Sequence, residues 1–575
     1  MKYVALVSGG KDSCMNMLYC HAEGHELVAC ANLCPMPDAS EELDSFMFQT
    51  VGSKCLDNLA RCLDVPLYRL SLIEDHTEIE INVIVEVLRK VLHHHPEITA
   101  VSVGAIASVY QQQRVDAACQ ILGLTSLAYL WQRDQRELLA DIIASGVDAR
   151  IIKVAGYGLG RDDIGKSLVE MQPKLLSLAH KWGLHPCGEG GEYETIVLDS
   201  PLFKKRMTMK NVEIVEHSTG DVYYLKFDTE ICEKKEEATA STHLRVPHVW
   251  DTENAGINSL EQVRLQSAPS KLQPTTIVHR NEFCERVVGS LTDIFKLLAN
   301  VYTRHALKNT FHVGVVLRRM SDFAALNARY IEFFAFENPP SRKCLAADID
   351  HEVEITVFGS CQDPEAKGLH VQGLSYWAPA NIGPYSQSCL RFGVNYMAGQ
   401  IGLLPATLSL IESSTDQCRL SFQNALRIAN TIHGDGNWAP LCAVAFITEE
   451  GLMEDAYQTW ACDLPLVVAT VSQLPRGAAI EWDISTVDTR YLRGHAPDDD
   501  QLEETYRYEP EYARMDNGGY MCVYGNSCAE LRVDDGLKVV LTTTVGSASP
   551  DKMVIPVRKL WLDRERVDCV SYCVY

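Results

Sequence analysis

Over residues 1–227 the apolar positions fall into short unbroken runs separated by turns and by amphipathic stretches. The runs at 3–7, 27–33, 67–72, 100–103 and 151–154 read as strands buried on both faces, because they are continuous rather than alternating. Between them, 13–23, 80–92, 109–122 and 135–145 read as helices, and Gly24, Gly123 and Gly146 stand where helix C-caps belong. This rhythm predicts an α/β domain with a doubly wound parallel sheet. A charge run at Glu233-Lys234-Lys235-Glu236-Glu237 then reads as a surface linker. Beyond it a helix is expected over 284–302, a strand over 311–317 and a helix over 323–334. A similar order returns as a helix over 418–432, a strand over 441–447, a helix over 452–461 and a Val-rich strand ending at Leu474-Pro475. Glu354 in Val353-Glu354-Ile355 and Glu481 in Ile480-Glu481-Trp482 lie 127 residues apart (481 less 354), so the rear is read as a duplicated α+β module. After Tyr491 the chain is acidic and then alternating, as over 539–544, which supports strands and nothing finer. The expected divisions are a first domain at 1–232, a linker at 233–270, modules at 271–362 and 371–491, and an extension of unassigned role at 492–575.

Composition narrows the class. At roughly 150 residues per domain, 575 residues imply about three or four domains. An apolar fraction of 46% with 22% charged residues excludes extended disorder. No run approaches the roughly 18 apolar residues of a membrane span, and Val4 to Val7 is too short for a secretory leader, so neither is expected. The formal charge of -24 repels phosphate backbones, which disfavours general nucleic-acid binding. Twenty cysteines with no Cys-x-x-Cys, mostly inside apolar segments, read as reduced thiols packed as small hydrophobes, and a cytoplasmic location is expected.

Two segments carry chemistry. Ser8-Gly9-Gly10-Lys11-Asp12-Ser13 sits between a strand and a helix. Glycines let a phosphate approach the backbone and the helix start aims N–H groups at it. Lys11 adds a cation and Asp12 a hard-metal ligand, although the spacing is not that of the ordinary P-loop. In Gly188-Glu189-Gly190-Gly191-Glu192-Tyr193-Glu194-Thr195, three carboxylates around two glycines make a tight anionic turn suited to a cationic group, with Tyr193 as an aromatic face. Tyr110 and Arg114 stand one helical turn apart and together suit a phosphate or carboxylate, an exposed polar helix face being the plain alternative. His93-His94-His95 reads as a polar last turn, and Cys30 with Cys34 lacks the further ligands of a zinc site.

The loop at 8–13 resembles the pyrophosphate loop of the N-type ATP pyrophosphatases, and the octet at 188–195 resembles the hallmark of the diphthine–ammonia ligases. Glu42 to Gly52, Gly104-Ala105-Ile106 with Tyr110-Gln111 and Arg114, and Leu130-Trp131 with Asp134-Gln135 match as well, over about residues 1–228. The resemblance implies an AMP-forming ligase that uses ATP, Mg²⁺ and ammonium to convert diphthine on translation elongation factor 2 to diphthamide. It assigns the nucleotide to Ser8, Gly9, Gly10, Lys11, Asp12, Ser13, Asn32 and Gly104, with the metal on Asp12. The acceptor falls to Tyr110, Arg114, Glu189, Gly190, Gly191, Glu192, Tyr193, Glu194 and Thr195. Catalytic roles fall to Lys11, Asp12, Glu189 and Glu192, and Tyr193 is expected to face the acceptor's trimethylammonium. Two rivals stand beside it: a tRNA-modifying enzyme with the same loop, opposed by the net charge and by the lack of a basic arm or a Cys-x-x-Cys, and a non-catalytic assembly or sensing protein built on the rear modules.

The rear modules resemble the RidA (YjgF) family. Ala378 to Gln387 and Ala398-Gly399-Gln400-Ile401 follow its amino-terminal motif in the second copy; Pro340-Ser341-Arg342, Cys344 and Val353-Glu354-Ile355 follow its carboxy-terminal motif in the first. Leu466 stands where the second copy would carry the arginine, and the first copy lacks an Ile-Gly-Pro-Tyr-Ser-Gln equivalent. The half-motifs leave two readings open. Either they assemble one hybrid pocket that hydrolyses an imine and passes ammonia on, or the pair is a non-catalytic scaffold left by drift, which is the simpler expectation.

Overall fold

The computed structural model describes residues 1–34, 55–71, 79–217, 222–234, 244–247, 283–334, 336, 338–360, 363, 366–434, 438–460, 466–488, 512–516, 521–525, 537–542, 553–562, 564–567 and 569–574. The motif at 42–52, most of the linker and the acidic stretch after Tyr491 lie outside the described residues. Contacts divide the chain into two compact units, Met1–Val249 with Gln372–Ala380, and Trp250–Val371 with Asn381–Tyr575.

In the first unit the order is β1 (Lys2–Leu6), α1 (Lys11–Ala22), β2 (Glu26–Cys34), α2 (Leu56–Leu63), β3 (Leu67–Ser71), α3 (Ile79–His94), β4 (Ala100–Ser102), α4 (Val109–Leu122), β5 (Thr125–Leu127), α5 (Gln135–Ala144), β6 (Asp148–Val154), α6 (Leu168–Trp182), β7 (Tyr193–Asp199), β8 (Arg206–Glu216) and β9 (Tyr223–Cys232). The first five strands form a parallel sheet ordered β3-β2-β1-β4-β5. Its strand order reverses between β1 and β4, and the crevice beyond their carboxyl ends is where such sheets bind ligands. Caps at helix ends are visible in the sequence: Ser108 accepts from Gln111 N at the start of α4, and Gly123 takes φ 68 at its end. Buried Asn16 on α1 donates to Ser102 Oγ and Leu127 O and accepts from Tyr129 N, fastening the helix to β4 and β5. The run at 151–154, expected in the parallel sheet, instead belongs to β6 of a separate antiparallel sheet ordered β7-β6-β9-β8. That sheet carries the octet's last three residues on β7.

Gln372–Ala380, far along the chain, belongs to this unit. Leu374 N donates to Ser126 O and Leu374 O accepts from Ala128 N, both at 2.8 Å, so the segment lies as a strap on the edge strand β5. Tyr376 packs its ring 5.3 Å from that of Tyr19 and 5.0 Å from that of Tyr129.

The second unit begins with β10 (Phe283–Gly289), α7 (Ile294–Val301), β11 (Thr310–Leu317), α8 (Phe323–Phe333), β12 (Ser341–Ala346) and β13 (Val353–Gly359), in a sheet ordered β10-β13-β11-β12. The helix expected over 284–302 is thus a strand followed by a short helix. Pairing of β10 along the whole of β13 offers its backbone a ladder that outweighs local helical preference. Next come β14 (Lys367–Leu369), β15 (Ser388–Arg391), β16 (Val394–Met397), β17 (Gln400–Ile401), α9 (Ser414–His433), β18 (Trp438–Ile447), α10 (Met453–Thr459), β19 (Val467–Thr470) and β20 (Ile480–Asp488). The duplication is exact in register. Val316 opposes Glu354 and Leu345 as Phe446 opposes Glu481 and Ala469, which puts Leu466 at the place of Arg342. The remaining strands are β21 (Tyr512–Asp516), β22 (Met521–Gly525), β23 (Leu537–Thr542), β24 (Met553–Pro556), β25 (Lys559–Leu562), β26 (Glu565–Val567) and β27 (Cys569–Val574). Of these, β25 pairs with β19 and so extends the sheet of the second module.

Candidate active site

The two chemical motifs meet. Lys11 N donates to Thr195 Oγ1 at 3.0 Å and Val197 N to Gly9 O at 2.9 Å, so the octet's strand is stitched onto the phosphate loop. Between them opens a cavity of about 230 Å³, placed at the β1/β4 switch point and lined from β1, the start of α1, the β4–α4 connection and the octet. Ser8, Gly10, Lys11, Asp12, Ser13, Gly104, Glu189, Gly191, Tyr193, Glu194 and Thr195 line it. Gly9 supports the loop from behind at φ 86. Gly104 is required by proximity, since a Cβ there would stand 2.8 Å from the backbone of Asp12 and Ser13.

Charge in the cavity is organised around Lys11 and Asp12. The Lys11 ammonium is 3% exposed and lies 2.8 Å from Asp12 Oδ2. Burial works to lower its pKa, yet the Asp12 carboxylate raises it on balance, with Cys187 and Glu189 adding to the effect. Burial and Glu189 push the Asp12 carboxyl up against the pull of Lys11. Asp12 Oδ1 is buried with no hydrogen-bond partner. Such an oxygen fits a hard cation that arrives with phosphate groups, because Mg²⁺ commonly takes only one or two protein carboxylates beside substrate oxygens. Among the described residues no group of three or more His, Cys, Asp or Glu could hold a metal by itself.

The octet's side chains divide. Glu189 Oε1 accepts from the backbone N–H of Ile106, Ala107 and Ser108 at 3.1, 2.9 and 2.9 Å, seating a carboxylate at the start of α4, where the helix dipole favours it. Glu192 Oε1 accepts from His185 N at 2.9 Å, while its Oε2 is buried with no hydrogen-bond partner. Glu194 lies 3.6 Å from Lys153. Tyr193 departs from expectation: it is 2% exposed, donates to Pro186 O at 2.7 Å, and the cation beside its ring is Lys11, 5.1 Å from the centroid. The structure therefore gives that aromatic face to the phosphate-side lysine rather than to an incoming ammonium.

Five other expected residues lie off the cavity wall, Glu192 among them, its carboxylate turned to His185 N. Asn32 is buried on β2 and donates to Val7 O at 2.8 Å, which steadies the strand end below the loop. Arg114 stacks on Tyr110, 3.2 Å from the ring centroid, and donates to Tyr110 O, so the pair engages itself instead of opening jointly onto a ligand. Gly190 is an exposed turn residue. Gln111, part of a matching stretch but given no role there, and Val115, not singled out, line the cavity from one face of α4; their spacing of one helical turn was the available signal.

A second cleft lies within the rear unit. Arg342, 3% exposed, donates to Asn327 Oδ1 at 2.8 Å, and its guanidinium stands 4.7 Å from the Tyr330 ring and 4.9 Å from that of Tyr385. Arg342 and Tyr385, with Cys344, Gly399 and Glu481, line a space of about 20 Å³, room for a water. Burial, with Asp483 adding, pushes the Glu481 carboxyl up to about 8, and its Oε1 is buried without a hydrogen-bond partner. A Cβ at Gly399 would overlap that oxygen, so glycine is needed there. The equivalent Glu354 is instead held by Arg286 through two contacts of 2.6 Å. The two half-motifs do assemble one site, from Arg342 of the first copy with Tyr385 and Glu481 of the second.

Models of the diphthamide synthase N-terminal and C-terminal domains match residues 1–126 and 134–231. A diphthine–ammonia ligase of Schizosaccharomyces pombe is 39% identical over 534 residues, covering 84% of this chain and 87% of the relative. The chain belongs to the diphthine–ammonia ligase family. A diphthine–ammonia ligase of Homo sapiens is 46% identical over 242 residues, 40% of this chain and 91% of its own length. A 2-iminobutanoate/2-iminopropanoate deaminase of Mus musculus is 29% identical over 121 residues, 20% of this chain and 90% of its own length. Family membership thus spans both units, whereas the deaminase likeness is confined to a stretch of about one module.

Proposed function

We propose that the chain is an AMP-forming ligase that amidates diphthine with ammonia at the expense of ATP, with translation elongation factor 2 as the protein acceptor. The observation that carries this reading is the junction of loop and octet through Lys11 N and Thr195 Oγ1, with residues of both lining one cavity. A carboxylate is a poor acyl donor, so an acceptor oxygen attacks the α-phosphorus and pyrophosphate leaves. Ammonia then attacks the acyl carbon, loses a proton and displaces AMP. Lys11 and the N–H groups at the start of α1 face the charge that grows on the departing pyrophosphate, and such preorganised donors act without reorganising. Mg²⁺ would be held by Asp12 and would neutralise phosphate charge when bound. Glu192 and Glu194 supply negative charge for the acceptor's trimethylammonium. Buried Cys14, Cys30 and Cys187 are free thiols, which suits a reducing, cytoplasmic setting for the reaction. Among the described residues no helix is long and apolar enough to cross a membrane.

The test is incubation with ATP, ammonium and diphthine-bearing elongation factor 2, reading the mass of the modified histidine and AMP together. Wild type should form both; Asp12→Ala should keep its fold and lose at least ~10²-fold in AMP formation, the usual size for one charge-stabilising group. Near-normal turnover in that variant would refute the role of the loop, and AMP formation with tRNA instead would favour the rival enzyme class.

The meeting of the two half-motifs supports a second reading beside the scaffold, hydrolysis of a short-lived 2-imino acid with release of ammonia, for which a cleft with room for one water would have to open. A guanidinium enclosed by aromatic rings suits a small carboxylate, and Glu481 is a proton donor near neutral pH. Acceleration of imino-acid hydrolysis that Arg342→Ala removes would support it; no acceleration by wild type returns the pair to a scaffold.

A further inference from the structure

The connection after β6 runs Ala155-Gly156-Tyr157-Gly158 and is pinned on both sides. Ala155 N and Gly156 N both donate to Glu192 O, at 2.9 and 3.0 Å, and a Cβ on Gly156 would stand 2.7 Å from Glu192 Cβ. Gly158, at φ 86, is pressed onto the end of α6, where a Cβ would stand 2.6 Å from the Trp182 ring. Between the two pinned glycines Tyr157 is turned outward, 79% exposed, and its ring meets that of Trp182 edge-on at 5.0 Å. Trp182 is itself 55% exposed and ends the helix from which the chain leads, through His185 and Cys187, into the octet. Both rings therefore stand on segments that feed the anionic turn and are left largely in water. At that exposure Tyr157 contributes little to the core, and ATP and ammonia are too small to need such a surface.

We propose that the Tyr157–Trp182 pair is the docking platform for the protein that carries the carboxylate acceptor. This rests on the ligase reading above. A modified side chain reaches the cavity only if its parent protein settles around the octet, and rigid Tyr and Trp rings are the residues that most often anchor such contacts. Charge agrees: the platform adjoins Glu192 through the Ala155 and Gly156 bonds, beside the negative charge that suits a cationic side chain.

The platform is tested with full-length Tyr157→Ala, Trp182→Ala and Tyr157→Phe proteins and purified diphthine-bearing elongation factor 2. Each alanine variant should raise the KM for this acceptor by about 5-fold or more, the effect of losing over 1 kcal/mol at an interface anchor, and weaken its direct binding in the absence of ATP equally. Tyr157→Phe should restore the wild-type values, and kcat at saturating acceptor and the KM for ATP should stay unchanged. Wild-type acceptor KM and binding in both alanine variants would overturn the platform, as would a fall in kcat with a rise in the KM for ATP, which marks a structural defect. Failure of the ligase reading is separate: wild type would then form no amide, and the ATP-free binding measurement would still decide the platform.

Discussion

Tyr193 shows how one contact redirects a role. Its sequence context pairs an aromatic ring with three carboxylates and a cationic substrate, but burial and the 5.1 Å approach of Lys11 place it on the phosphate side. Tyr193→Ala should therefore loosen Lys11 and raise the KM for ATP, by roughly 2- to 30-fold for a partly to fully desolvated cation–π contact, with a smaller change in the KM for the acceptor. Steady-state kinetics with each substrate varied in turn decides it; an effect confined to the acceptor returns the ring to the ammonium. Glu189 is a related case. Its carboxylate reads as acceptor-binding in the sequence, yet one oxygen already satisfies three N–H groups of the β4–α4 connection. Nothing in the spacing of the octet announces partners more than 80 residues earlier. Asn32 was likewise legible as a polar residue on an apolar strand, but its direction along the strand, toward Val7 O, was not.

Among elements, what could be read locally was read. Four strands of the parallel sheet, the capped helices and the paired modules are carried by runs, turn residues and a repeat; β5, three residues long, shows no such run, and the partner of each strand is not legible. Residues 151–154 look like the buried strands before them, and only pairing with Tyr193–Asp199 shows that they start a second sheet. The same limit applies to 284–302, where β10 forms because β13 is there to receive it. Strand β20 carries a consequence for pH. Glu481, 2% exposed, holds its proton up to about pH 8 in the folded state and loses it near the ordinary carboxylate range when unfolded. Between those values the folded protein binds the extra proton, so stability must fall as pH rises. Unfolding of the rear unit followed in urea should therefore need less denaturant at pH 8 than at pH 5.5, and Glu481→Gln should flatten this difference. An equal slope in the variant would show that other groups cause it.

At the scale of the whole molecule, the front unit is not a contiguous stretch of chain. Its parallel sheet ends at β5, a strand of three residues, and the strap from Gln372–Ala380 covers that edge with two backbone bonds and the Tyr376 ring. A fragment ending at residue 249 would bare this edge and the tyrosine cluster, and unpaired edges invite association. Such a fragment should self-associate on concentration in light scattering, and a synthetic peptide spanning 371–381 should return it toward monomer; a monodisperse fragment without the peptide would show that the edge protects itself. Heredity feels the same geometry. A frameshift or early stop between codons 249 and 372, far downstream of the octet, still removes the strap on the front sheet, so such a mutation would be read out as loss of the front enzyme without touching its cleft.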